Sequence, residues 1–391
     1  MKIGSCVLGR IKVLHIMSSL NSSGGVTQVA RNYIDNMVSA DMLFDIAYFL
    51  DTPVNLKEYF LSKKVNIFKF DKLKVTNFPR VKKQLVGILA ASSPDIVHLH
   101  MPILHKVVKS ALAVVNKKMH RNIKLILHAH TAELSTSIVK KFRNRILLSG
   151  VNRRVDKLLA CSSIAGLKNF GKKFFRTGDV VYNAIDLDVF NSVQVNANKV
   201  IRELKLKNKK VYTHVGRLSK EKNQHFIIDI FSKIVEKDPK SVLLLVGHGE
   251  IKAINSLKQH SRELGIEDKV IITGARNDVR NIFAATNALI FPSLHEGLGM
   301  VLIEAQASGV LCFASDTCPI ESKVSNLITY MSLKLNAEEW ANAIISTEYP
   351  AEVELTLDNY DIKEASLRLD NVYKTLVSSN IKYISKNAGE K

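Results

Sequence analysis

The run FPSLHEGLGMVLIEAQASG, Phe291 to Gly309, sets Glu296 and Glu304 on either side of a glycine-bearing turn. The apolar residues up to Pro-Ser suit a strand, His295–Gly299 the turn at its carboxyl end, and Met300 onward a helix that Gly309 stops. Gly297 and Gly299 permit close backbone approach, and a helix start offers unpaired N–H groups to a phosphate or a sugar oxygen. Two carboxylates beside such an anion site cannot hold the anion; they suit hydroxyls. Taken alone, the pair is better explained by a loop-surface Glu296 and a Glu304 that complements the helix dipole. A second segment changes that balance. HVGRLSKEKN, His214–Asn223, puts Arg217 and Lys222 in the loop after another apolar run. A guanidinium grips a diphosphate through its planar fork, and an ammonium adds a point charge. Carboxylates for hydroxyls and cations for phosphates, each at a strand end, describe a site for a nucleotide-diphosphate sugar.

Elements of a definite kind must hold these residues. Short apolar runs recur in the first half (KVLHIM, DIAYFL, VNIFKF, DIVHLH, KLILHAH, KLLACS, VVYN), with helical patterns such as VTQVARNYIDNMV between most of them. A second series follows: VYTHVGR, SVLLLVG, KVIITG, NALIFPS and VLCFAS. Continuous apolar strands joined by helices imply parallel sheets covered on both faces. At 391 residues the chain exceeds one ordinary core, so the two series imply two doubly wound α/β domains. Ligands of such sheets bind at the carboxyl ends of the strands, and two facing domains would make a cleft there. The stretch Asn191–Lys210 suits a linker plus entry helix. No apolar run approaches a membrane span, and the amino terminus leads into a strand pattern rather than a secretory signal. Cys6, Cys161, Cys312 and Cys318 lack metal-ligand spacing, so buried free thiols in a reducing, cytoplasmic compartment are expected.

The fragments also resemble a known family. GRLSKEKN with PSLHEGLGMVLIEAQASG, supported by SSGGVTQVARNY, PDIVHLH, HAH, VVYNAIDLDVF and LLVGHGE, resembles the retaining glycosyltransferases of family four, nearest their exopolysaccharide and capsule members. The resemblance spans nearly the whole chain. It implies the GT-B fold, two Rossmann-like domains facing a central cleft: 1–190 on the acceptor side, 191–358 for the nucleotide sugar, and 359–391 as a helix packing back toward the N-terminal domain. It implies a hexosyltransferase-type enzyme that moves sugar from a nucleotide-diphosphate donor, UDP favoured, to a saccharide or polyprenyl-linked acceptor in cell-surface polysaccharide synthesis. Arg217 and Lys222 resemble the diphosphate grips and Glu296 the glutamate at the donor sugar, aided by Gly297, Leu298, Gly299 and Met300. Glu304 resembles the ribose acceptor. Ala275, Arg276 and Asn277 match the turn where the nucleobase packs on backbone, and Gly24 and Gly25 the glycines that approach the diphosphate. His130 resembles the active-site histidine near the donor sugar; a histidine merely satisfied at a strand end is the other reading. Asn183 and Asp186 are expected to shape the hinge, but Ala184 stands where many relatives carry glycine.

No metal or other cofactor is expected. His128 and His130 share a strand face and could be read as ligands, but no acidic pair accompanies them, and the resembled fold usually works without metal. Charge neutralisation would fall to Arg217, Lys222 and helix starts.

The net charge of +20 is lopsided. Residues 1–190 hold 30 Lys+Arg against 12 Asp+Glu, leaving 26 against 24 for the rest. A basic half points to an anionic partner. SIVKKFRNRILLSGVNRRVDK, Ser137–Lys157, sets Ile138, Phe142 and Ile146 at near-helical spacing among Lys140, Lys141, Arg143, Arg145, Arg153 and Arg154. Either the apolar residues pack into the core beneath a solvated basic face, or the helix rests on anionic lipid, placing the enzyme at the inner face of the cell membrane. A nucleic-acid partner lacks any recognisable binding motif. An epimerase or hydrolase on the same fold would share the nucleotide site and differ in needing no acceptor.

Overall fold

The computed structural model describes residues 10–21, 25–37, 41–52, 55–131, 138–187 and 195–388. Met1–Leu187 with Asn359–Lys391 form one compact unit, and Asp188–Asp358 form the other. Each is a parallel sheet wrapped by helices, the doubly wound α/β class that the two apolar series implied.

In the first unit the strands are β1 (Ile11–Ile16), β2 (Met42–Tyr48), β3 (Asn66–Lys69), β4 (Ile96–Leu99), β5 (Lys124–Ala129), β6 (Lys157–Ala160) and β7 (Gly178–Val180). Their order is β3-β2-β1-β4-β5-β6-β7, so sheet growth reverses between β1 and β4. The central strands are buried on both faces, which is why they lack polar alternation. VVYN contributes less strand than its apolar character suggests. β7 ends at Val180 because only Gly178–Val180 face the short β6 partner, Leu158–Ala160.

The helix Ile362–Ala388 belongs to this unit's core. Its Ile362, Ala365, Leu369 and Tyr373 join Met17, Tyr33, Ile34 and Phe44 in one buried cluster. Full burial of such a side chain contributes about 1.5–3 kcal/mol. Two backbone bonds splice the segment to the chain beyond β7: Ile185 N–H to Tyr360 O and Ile362 N–H to Ile185 O, both 2.9 Å.

The second unit holds β8 (Lys210–Val215), β9 (Ser241–Val246), β10 (Val270–Gly274), β11 (Ala288–Phe291), β12 (Leu311–Ser315) and β13 (Ile328–Met331), ordered β10-β9-β8-β11-β12-β13. Apolar clusters cover both faces, one around Phe283, Phe291 and Leu302, the other around Phe231, Phe313 and Trp340. The sequence pattern missed β13. Its ITYM has polar or amphipathic residues at two of four positions, because an edge strand pairs on one side only. Among the described residues no helix is long and apolar enough to cross a membrane. Cys161, Cys312 and Cys318 are buried free thiols, and Cys6 lies outside the described residues.

Candidate functional site

In the second unit β8 and β11 are neighbours, and the sheet order reverses between them. Open parallel sheets bind ligands at such a reversal, beyond the carboxyl ends of the strands. Arg217 and Lys222 follow β8 and Glu296 follows β11, so all three lie at that edge.

The loop after β8 is tightly held. Gly216 N–H donates to Val246 O and Leu218 N–H to His248 O, both 2.9 Å. Gly247 is obligatory there: its φ is +148°, and an added Cβ would lie 2.0 Å from Gly216 O. Buried Gln224 donates from Nε2 to Arg217 O at 2.9 Å and to His214 Nε2 at 3.3 Å. His214 Nδ1 donates to Ile290 O at 3.0 Å, and burial pushes its pKa down to about 3, so it bridges β8 and β11 as a neutral ring. Arg217 is exposed. Glu221 lies within its field, yet among the described residues no hydrogen bond or ion pair holds the guanidinium.

Lys222 forms an ion pair with Glu296, both side chains largely buried, and its Nζ lies 4.9 Å from the centre of the Phe291 ring. The two loops are stapled by Leu294 N–H to Glu221 O (2.8 Å) and Asn223 Nδ2 to Pro292 O (3.2 Å). Ser315 Oγ and Thr317 Oγ1 both donate to Ser293 O. Gly299, at φ +81°, opens the helix Met300–Ala307. Leu298 and Gly299 are buried, so the Leu298 side chain serves the core.

Glu304 sits one turn into that helix, half-buried. Burial pushes its carboxyl up to about 7, and among the described residues its side chain has no hydrogen-bond or ion-pair partner. A carboxyl held without a protein partner fits a ligand hydroxyl. Gln306, not singled out from sequence, anchors the helix. Its Nε2 donates to Leu302 O and Ser322 O at 2.8 Å, and its Oε1 accepts from Val324 N, Ser325 N and Ser325 Oγ. In the turn after β10 the Arg276 guanidinium is committed to Asp278 (2.8 Å) and Glu203, which raises its pKa further. That leaves its backbone and the exposed Ala275 and Asn277 for a ligand.

In the first unit Gly25 opens the helix Gly25–Met37, and an added Cβ there would meet nothing within 4 Å; Gly24 lies outside the described residues. His130 follows β5 and is half-buried. It is not alone. Its Nε2 is 2.8 Å from His100 Nδ1, and its Nδ1 is 3.3 Å from Asn183 Oδ1. His100 Nε2 continues to His15 Nδ1 at 2.8 Å. His98 lies 3.1 Å from His128 and 2.6 Å from Tyr373 OH. Burial depresses all five imidazoles, His15 to about 3 and His130 to about 4. The signal in the sequence was HLH and HAH on adjacent strands, with His15 on the next.

Two triads, His15/His98/His100 and His100/His128/His130, bring ligand atoms within 4.8 Å of one another. Eight of the ten ring nitrogens are engaged with each other, Tyr373 or Asn183 in the bonds above, and none of the five pairs with a carboxylate among the described residues. A divalent ion there would carry uncompensated buried charge.

The basic helix Ile138–Leu147 departs from its apolar spacing. Ile146 is 53% exposed while Asn144 is buried, so core packing fails at Ile146. Arg143, Arg145, Arg153 and Arg154 are exposed; the side chains of Lys140, Lys141 and Phe142 lie outside the description. Lys106 Nζ donates to Ile146 O at 3.0 Å and His105 Nε2 to Leu147 O at 2.9 Å, capping the helix end.

Two Rossmann-like units, the second carrying Arg217, Lys222 and Glu296 at its strand reversal, are the architecture of the GT-B glycosyltransferases. Residues 23–189 match the family model "Glycosyltransferase Family 4" and residues 196–354 match "Glycosyl transferases group 1". The chain belongs to the family 4 glycosyltransferases. It is 23% identical over 342 residues, 85% of this chain and 90% of the relative, to the capsular polysaccharide biosynthesis glycosyltransferase CapH of Staphylococcus aureus. It is 31% identical over 171 residues, 42% of this chain and 44% of the relative, to the UDP-Gal:alpha-D-GlcNAc-diphosphoundecaprenol alpha-1,3-galactosyltransferase of Escherichia coli. Among solved structures, Anabaena Alr3699/HepE in complex with UDP and glucose shares the fold, with a TM-score of 0.70 at 19% identity, covering 96% of this chain and 100% of that one.

Proposed function

We propose that this glycosyltransferase moves a sugar from a nucleotide-diphosphate sugar, UDP favoured, to a saccharide or lipid-linked saccharide acceptor, with retention of configuration, in cell-surface polysaccharide synthesis. One observation carries the reading: Arg217 and Glu304, without side-chain partners among the described residues, share the carboxyl edge of one sheet around its reversal with the Lys222–Glu296 pair. Arg217 grips the diphosphate. Lys222 divides its charge between Glu296 and the phosphates, so it both neutralises the leaving group and aims Glu296 at the sugar hydroxyls. Glu304 takes the ribose. The C1–O bond to the diphosphate breaks, the acceptor oxygen bonds to C1 on the same face, and the acceptor's proton passes to the departing phosphate. No metal is required, because fixed cations and a helix start stabilise the leaving charge.

The naming of CapH and of the diphosphoundecaprenol-dependent galactosyltransferase supports a polysaccharide pathway and a lipid-linked acceptor. With the exposed cations and Ile146 of Ile138–Leu147, they support contact with an anionic membrane from the cytoplasmic side.

The test is UDP release from a panel of UDP-sugars, with and without undecaprenyl-diphosphate-linked saccharide acceptors, the product's anomeric centre being read by NMR. Acceptor-dependent release with a retained anomer is expected. Release without an acceptor would make the protein a hydrolase, and an inverted product would overturn the same-face step.

A further inference from the structure

We infer that His100 and His15 are positioning residues for His130: a one-directional chain of hydrogen bonds holds His130 as a neutral ring that donates from Nδ1–H and whose Nε2 is already occupied. The inference rests on the proposal that His130 meets the donor sugar.

Neutral imidazole has one donor and one acceptor nitrogen. In a row of three rings joined nitrogen to nitrogen, one choice therefore fixes every tautomer. The row runs from His15 Nδ1 to His100 Nε2 at 2.8 Å, from His100 Nδ1 to His130 Nε2 at 2.8 Å, and from His130 Nδ1 to Asn183 Oδ1 at 3.3 Å. It exists because the sheet builds it. His15 pairs in register with His98 across β1 and β4, and positions 98 and 100, like 128 and 130, share a face by the period of two. The rings stack at 5.1 Å for His15–His100 and 5.0 Å for His100–His130.

Both ends select the same direction. At the inner end His15 Nε2 is buried with no hydrogen-bond partner among the described residues. It is either a bare lone pair or a stranded N–H, and a stranded buried N–H is the rarer arrangement. A bare Nε2 puts the proton on His15 Nδ1, which donates to His100 Nε2. His100 then donates from Nδ1 to His130 Nε2, leaving the His130 proton on Nδ1. At the outer end that N–H faces the Asn183 oxygen, an acceptor. Among the described residues the ionisable groups packed around the row are His98, His128 and Tyr373, with Tyr33 beside Tyr373. None of them brings a negative charge at neutral pH, because burial lowers the histidines and raises both tyrosines. Among the described residues a protonated His130 would have no counter-charge.

The consequence is chemical. His130 Nε2 accepts from His100 and cannot serve as a general base. Its Nδ1–H contact to Asn183 is long, so a sugar hydroxyl oxygen can take Asn183's place as acceptor. His130 then recognises a hydroxyl, and the proton of the attacking acceptor must go elsewhere, in keeping with the leaving phosphate as its recipient.

The tautomers are readable directly in the full chain labelled with 15N-histidine, from long-range 1H–15N correlations at neutral pH. Nδ1–H signals for His15, His100 and His130 are expected; an Nε2–H or charged His130 overturns the inference without any variant. His100→Asn keeps an N–H at the Nδ1 position and should keep the His130 tautomer and near-normal kcat/KM. His100→Leu should release His130 toward Nε2–H and lower kcat/KM about tenfold, the loss of one well-placed hydrogen bond, chiefly by raising KM for the donor. An unchanged His130 signal in His100→Leu, or a released tautomer with unchanged kcat/KM, overturns the positioning role. Wild-type turnover in His130→Ala with the tautomers intact would instead remove His130 from the donor site.

Discussion

Acidification should unfold the two units very differently, and the difference follows from where the histidines are. The first unit buries His15, His98, His100, His128 and His130 as neutral rings. Unfolded, each returns to its ordinary value of 6.5. A group whose folded pKa is depressed in this way leaves stability intact above 6.5 and removes it as pH falls below, because only the unfolded chain takes up the proton. At about pH 5 the unfolded state is favoured by about 1.5 pH units × 1.36, or about 2 kcal/mol per histidine. His15, His130 and the likewise buried His105, with folded values of about 3, 4 and 4, together give about 6 kcal/mol. His98, His100 and His128 act in the same direction, so the total is comparable with the whole stability of a typical domain.

Among its described residues the second unit has one fully buried ring of this kind, His214, worth about 2 kcal/mol in the same direction, and the more exposed His225 is lowered by partial burial too. Glu304 works against it. Its carboxyl is raised from 4.5 to about 7, so the folded state binds the proton first and gains stability as pH falls toward 4.5. The second unit should therefore be nearly flat over this range. Trp340 is the sole tryptophan and lies in the second unit, so its fluorescence follows that unit while circular dichroism follows both. Thermal melts from about pH 7.5 down to about pH 5 should show an early dichroism transition that splits from the tryptophan signal. Two signals that stay superimposed, with no loss of stability at the lower pH, would refute the neutral histidine cluster.

Other perturbations test the remaining assignments. Glu296→Ala strands the Lys222 cation, costing about 1–3 kcal/mol of stability, and should blur discrimination between donor sugars in a competition assay; unchanged sugar preference would remove it from the donor site. Gly299→Ala forces a side chain into a left-handed conformation at the start of the helix Met300–Ala307, and should lower the midpoint of urea unfolding by about 1 kcal/mol equivalent. Transfer should survive chelation; recovery of lost activity by Mg²⁺ or Mn²⁺ would return the histidine triads to consideration as ligands. Replacing Lys140, Lys141, Arg143 and Arg145 by Gln should reduce binding to anionic vesicles and transfer to lipid-linked acceptor while sparing UDP binding. Undiminished vesicle binding would exclude that helix as the docking surface.

The architecture was legible because parallel strands buried on both faces leave continuous apolar runs, and eleven of the thirteen strands carry one; β7, Gly-Asp-Val, meets its run VVYN only at Val180. β13 escaped because Thr329 and Tyr330 break its pattern. The site's charged residues were legible by type and by position at strand ends. Their state was not: spacing cannot show that Lys222 is already paired with Glu296, that Glu304 has no partner among the described residues, or that Arg276 spends its guanidinium on Glu203 and Asp278. The histidine row was visible only as two HxH fragments and a lone His15. Its meaning depends on register between β1, β4 and β5, which no single segment contains. Spacing misled at Ile146, where Asn144 takes the buried position one-half turn earlier.

The central claim is that the carboxyl edge around β8 and β11 binds a nucleoside diphosphate through Arg217 and Glu304. Calorimetric titration of UDP into the metal-free protein, beside Glu304→Ala and Arg217→Ala, tests it most directly. Saturable binding by the wild type is expected, with each variant about tenfold weaker or more, as the loss of a ligand hydrogen bond to a charged group implies. UMP, lacking the second phosphate, should be insensitive to Arg217→Ala and still weakened by Glu304→Ala. UDP affinity unchanged in both variants would contradict the site.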